Sequence, residues 1–152
     1  MVHYAMKKNW TSLGAGTELI EKSGVSIDTA TQATYEKIRL SGSWRVSQIY
    51  LSFIRSLKRS GEIKRTGINF VISPVNFRET PAFIRMGQDF EVDHCMFLLI
   101  QRCRDATTTD KYRELAMHNT SHPLNKEYRE VPNDPICSLP SVMLPKYFPL
   151  PN

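Results

Sequence analysis

Val46, Ile49, Tyr50, Phe53, Ile54 and Leu57 recur at i, i+3, i+4, i+7, i+8 and i+11. A helix of 3.6 residues per turn puts that spacing on one face, so the segment predicts an amphipathic helix over residues 44–60. Ser43 is the expected N-cap and Gly61 the expected residue just past the end. Arg45, Ser52, Arg55, Ser56 and Arg59 line the opposite side. Lys58 and Arg59 fall in the last turn, where cations favour the helix dipole. A helix with one apolar stripe must bury it against another layer. The rest of the chain has to supply that layer.

Strands are the expected supply. Tyr35 to Leu40 alternates, with Glu36, Ile38 and Leu40 on one face and Tyr35, Lys37 and Arg39 on the other, which predicts a strand with one wet face. Ile68 to Ser73 is β-rich and alternating, and Pro74 ends it or places it at an edge. Val75-Asn-Phe77 can resume pairing. Thr80 to Gly87 reads as a connection. Val92 to Cys103 predicts a long strand, apolar on both faces from Cys95 to Ile100, and therefore central. Thr107 to Thr109 then caps a second, shorter helix with Tyr112, Leu115 and Ala116 as its stripe. These elements predict an α+β fold: one small domain with a mixed or antiparallel sheet of four to five strands and one main packed helix.

The two ends read differently from the middle. Residues 1–33 predict an arm, interrupted by Gly14, Gly16 and Gly24 and rich in Ser, Thr and Ala from Ser26 onwards. Residues 34–122 form the globular domain. Seven of the nine prolines fall in residues 123–152, which excludes a regular helix or a central strand there. Ile136, Leu139, Val142, Met143, Leu144, Tyr147, Phe148 and Leu150 interleave with those prolines. Such a mixture predicts an extended arm docked on a surface, its own or a neighbour's. Leu144, Tyr147 and Phe148 are the expected self-association anchors, because aromatic residues dominate interface hot spots.

At 152 residues, 41% apolar and 23% charged, the chain has the balance of a single globular domain. The apolar run Met96–Ile100 falls far short of the ~20 residues that span a bilayer. No apolar stretch near the N-terminus marks a secretory signal. Three cysteines do not make a disulfide framework. Asn9-Trp-Thr11 and Asn119-Thr-Ser121 match the glycosylation sequon by chance when no signal precedes them. The net charge of +5 is uneven. Between Glu36 and Arg65 eight cations face two carboxylates, Glu36 and Glu62. That concentration predicts a polyanion-binding surface built from Arg45, Arg55, Lys58, Arg59, Lys64 and Arg65.

Other chemistries find little footing. Cys95, Cys103, His118 and His122 have the wrong spacing for a zinc site. On one strand the two cysteines would stand roughly 26 Å apart at ~3.3 Å per residue. His94 and Cys95 are adjacent, so on a strand they point to opposite faces and cannot act as base and nucleophile. No phosphate-binding glycine loop is present. Asp89, Glu91 and Asp93 read as a wet strand edge. No catalytic residue, metal, cofactor or small-molecule substrate is therefore expected.

The order of short strings resembles the globular core of rhabdovirus matrix proteins. Tyr35-Glu36-Lys37 opens a strand, a basic helix and an apolar strand follow, and Thr80-Pro81-Ala82 comes next. Leu144-Pro145-Lys146-Tyr147-Phe148 matches a downstream Pro-x-x-Phe stretch. The likeness covers Tyr35 to Ala82 and this fragment. The lysine-rich N-terminal arm and the proline-tyrosine budding motif of that family are missing. The resemblance implies a small α+β, self-associating structural protein of the virion. Such a protein works in the host cytoplasm, peripheral at the membrane, bridging nucleocapsid and anionic lipid. The alternative is a small nucleic-acid-binding protein, either a capsid protein or an RNA silencing suppressor. An enzyme is the third reading.

Overall fold

The fold, seen in a computed structural model, is described for residues 2–100 and 109–145. The expected central helix is present as Trp44–Arg59. The Ser43 hydroxyl accepts from the Val46 amide, and Gly61 takes a positive φ of 79° just beyond the end. In chain order the elements are α1 (Val2–Ser12), β1 (Lys22–Ser26), α2 (Gln32–Ile38), α3 (Trp44–Arg59), β2 (Arg65–Ile72) and α4 (Thr80–Asp89). Then come β3 (His94–Leu99), α5 (Thr109–Leu115), α6 (Asn125–Tyr128) and β4 (Val142–Met143). Short 3-10 turns join them at 14–19, 77–79, 131–133 and 135–138.

The sheet corrects the expected fold class. Its four strands run in the order β1-β2-β3-β4, and every neighbouring pair is parallel. It is neither mixed nor antiparallel, and among the described residues six α-helices rather than one main helix accompany it. The physical reason lies in the connections. Parallel neighbours need a crossover, and each connection here carries at least one helix. β3 lies between β2 and β4 and is central, as its apolar run requires.

Two local expectations fail for related reasons. Tyr35–Leu40 is not a strand: Gln32–Ile38 is helical, and Thr34, Tyr35, Ile38 and Arg39 are the half-buried positions. A six-residue alternation fits a short helix as well, and capping by Thr31 together with ring contact between Tyr35 and Trp44 decides it. Thr80–Gly87 is not a connection but most of α4. Pro81 sits in the first turn, where its missing N–H costs nothing. Gly87 lies against the sheet, where a Cβ would come within 2.5 Å of Cys95 Sγ.

The ends also fold. The segment expected as an N-terminal arm supplies α1 and β1, and β1 pairs along its length with β2. Lys22-Ser-Gly-Val-Ser26 has little strand propensity of its own, so the pairing makes the strand. From Pro123 to Pro145 the chain forms the one-turn helix α6, which the prolines were expected to exclude, two 3-10 turns and the edge strand β4 rather than an extended arm. Pro132 and Pro135 open two of the 3-10 turns. Tyr128, Pro132 and Cys137 are buried. Arg78 binds Glu127 at 2.5 Å, and the Ser141 carbonyl accepts from the Cys95 amide.

One face of the sheet holds the core. Thr66, Ile68, Phe70 and Ile72 of β2 and Cys95 and Phe97 of β3 are buried beneath α4 and α3. Phe70, Phe83 and Phe97 meet in a three-ring cluster with centroids 4.8 to 5.7 Å apart. A second cluster, Phe53, Ile54, Leu57 and Ile63, packs with Met6 and Trp10 of α1.

Candidate functional site

The expected polyanion cluster is divided. Arg55 and Arg59, one turn apart on α3, both donate to the Glu91 carboxylate in the turn before β3. Lys58 donates to Asp93 at 2.8 Å and to the Glu91 carbonyl at 2.7 Å. The Asp93 carboxylate also accepts from the Thr66 amide. Glu91 itself adopts a positive φ of 58°. The hydrogen bonds from Arg59 and Arg55 hold its carboxyl down at about 2. These three cations therefore clamp α3 to the amino end of β3. Lys64 pairs with Glu21 at 2.6 Å in an exposed position. Arg45 and Arg65 are exposed and make no ion pair among the described residues. Lys22, absent from the sequence prediction, stands beside Arg65 across the β1–β2 register.

Of the expected anchors, Leu144 is partly buried and packs against the main core. Tyr147 and Phe148 lie outside the described residues. His94 and Cys95 stand on opposite faces, as strand alternation requires. The Cys95 thiol is buried and pushed up to about 12, and burial raises Cys137 to about 11. Neither is poised as a nucleophile. Among the described residues no group of three His, Cys, Asp or Glu side chains could hold a metal ion. No helix there is long and apolar enough to cross a membrane.

A polar cluster ties β1, β2 and α4 together at the carboxyl ends of the strands. Asp28, at a positive φ of 65°, accepts from Arg39 at 2.6 Å and from the Val71 amide at 2.8 Å. Asn76 donates to the carbonyls of Asp28 and Val71. The Glu79 carboxylate accepts from the hydroxyls of Thr29, Thr31 and Thr34 and from the Ala30 amide. Burial raises its pKa, but those four bonds outweigh it and hold the group below the usual carboxylate range. The oxygens are occupied by the chain itself, so this cluster is a structural clasp.

The other face of the sheet is the surface that sequence reasoning missed. It presents three cross-strand rows. Gly24, Gly67 and His94 form one row, Ser26, Asn69, Met96 and Met143 the next, and Val71 and Leu98 the last. No described helix covers them: Leu98 is 40% and Met143 52% exposed, and Met96, Asn69 and Val71 are half-buried. The His94 ring lies over Gly67, where any Cβ would collide with it. Connections between parallel neighbours are right-handed in nearly all folds. With strands added always in the same direction, that rule puts every crossover on one side. The signal was present as the alternation of small or polar residues in β1 and β2, but it becomes a face only once the strands are known to be parallel neighbours. No family model, no curated protein and no solved structure matches this chain.

Proposed function

We propose that this chain is a non-enzymatic structural protein that associates with other copies, and that its docking surface is the uncovered face of the parallel sheet. The observation that supports this is the one-sided winding. Parallel sheets occur almost only with both faces covered, and here, among the described residues, Leu98 and Met143 are exposed and Val71 and Met96 only half-buried. This reading puts self-association on the sheet; of the expected tail anchors, Tyr147 and Phe148 lie outside the described residues. Sedimentation over a concentration series tests it. The wild-type chain should associate, and Met96→Glu with Leu98→Glu should abolish association while circular dichroism stays unchanged. Association that survives both substitutions would overturn the assignment.

A second reading keeps the polyanion surface, in a viral matrix-type protein bridging nucleocapsid and anionic membrane or in a small RNA-binding protein. Lys22, Arg65 and the exposed Lys64, gathered at the amino ends of β1 and β2, favour it. The matrix likeness itself rests on Tyr35-Glu36-Lys37, now within α2, and Thr80-Pro81-Ala82, at the start of α4. The discriminating variant reverses Lys22, Lys64 and Arg65 rather than the clamping Arg55, Lys58 and Arg59. Loss of binding to RNA or to phosphatidylserine vesicles at low salt supports it. Unchanged binding, or none by the wild type, removes it.

A further inference from the structure

We propose that the uncovered sheet face is the inner wall of an incomplete barrel, which a second copy of this chain closes. This deepens the docking assignment above and rests on it. Connectivity points to a barrel. A doubly wound sheet covers its second face by reversing strand order at a switch point. Here β1-β2-β3-β4 never reverses, so among the described residues the winding brings no helix to the bare face. Four parallel strands in sequential order with helices on one side are half of the eight-stranded βα barrel, whose helices form an outer ring.

Area decides against flat stacking of two sheets. At ~3.3 Å along and ~4.8 Å between strands, the strand residues present only about 330 Å² of face. A stable interface takes roughly 800 Å² from each partner. Closure adds what stacking lacks. The outer edges of β1 and β4 are both unpaired among the described residues, and a barrel pairs β1 of one copy with β4 of the other and brings their flanking helices together.

The side chains suit an interior. The two rows nearer the carboxyl ends, Ser26, Asn69, Met96 and Met143 with Val71 and Leu98, carry no charge. The charged positions, Lys22 and Arg65, sit at the amino ends. A two-fold axis along the barrel keeps those ends together at a solvated mouth. Gly24 leaves room on the wall and the space over Gly67 is taken by the His94 ring, while Met96 and Met143 are flexible enough to fill the remainder.

Light scattering coupled to size exclusion should give a mass of two chains, with Met96→Glu reducing it to one. Should that variant not fold, Ser26→Arg provides the same disruption from an exposed position on the same face. In a Cys103→Ser background, Ser26→Cys mixed with Met143→Cys should cross-link between copies through a short bis-maleimide. A two-chain mass with that heterologous cross-link supports closure. A wild-type monomer at hundreds of micromolar overturns closure and self-association together. Dimers sensitive to Met96→Glu but without the edge cross-link, or open-ended oligomers, overturn closure alone and leave the docking face standing.

Discussion

Gly87→Ala isolates the contact that seats α4 on the sheet. An exposed helical glycine replaced by alanine gains about 1 kcal/mol from helix propensity. At Gly87 the new methyl would stand 2.5 Å from Cys95 Sγ, 3.1 Å from Val92 Cγ2 and 3.2 Å from Ile68 Cδ1. Ordinary contact begins about 1 Å further out for the sulfur, and the flanking Val92 and Ile68 methyls leave no side to escape to. Overpacking of a rigid core costs about 1–3 kcal/mol. The upper part of that range applies, so the net expectation is a loss of about 1–2 kcal/mol. For a chain of this size that lowers Tm by roughly 2–8 °C. Cys95→Ala removes the sulfur and carries its own cavity cost. In that background Gly87→Ala should become neutral or stabilising, a coupling of about 2 kcal/mol in a double-mutant cycle. Urea unfolding of the four proteins measures it. A stabilising Gly87→Ala in the wild-type background, or an equal cost in both, would refute the close approach.

Phe70→Ala removes the ring shared by Phe83 and Phe97 and should cost about 3–5 kcal/mol in urea unfolding; a loss under 1 kcal/mol would contradict the three-ring core. Ser43→Ala should cost about 1 kcal/mol through loss of the α3 cap, and Ser43→Asp should restore it. Glu79 has its folded pKa below the unfolded value, so its contribution is present above the unfolded pKa and disappears as pH falls through the folded one. Glu79→Gln should therefore flatten part of the acid-side fall in stability below about pH 4.5, the ordinary carboxylate range; identical slopes for variant and wild type would count against the clasp. Cys95 and Cys137 should resist iodoacetamide at pH 8 until the protein unfolds, and labelling of either in the native state at the rate of the unfolded chain would refute their burial.

The α3 helix, its Ser43 cap, its Gly61 stop and the central place of β3 follow from residues close together in sequence, because periodicity and capping are local physics. The same is true of the opposite faces of His94 and Cys95. The parallel sheet does not follow. Parallel and antiparallel strands share the same alternation, and only the route of each connection separates them. β1 is invisible because Lys22-Ser-Gly-Val-Ser26 becomes a strand by pairing with β2, 43 positions along at every register point. α4 was hidden because Pro81 and Gly87 break isolated helices, yet one opens this helix and the other lets it touch Cys95. The basic zone was legible as charge, but its use was not. Glu91 and Asp93 lie more than thirty residues from Arg55, Lys58 and Arg59, and only the fold makes them partners. The bare face of the sheet is likewise a property of no single segment. It arises because successive crossovers share one handedness and one direction, which leaves Gly24, Gly67, Met96 and Met143 together on the side that no described helix reaches.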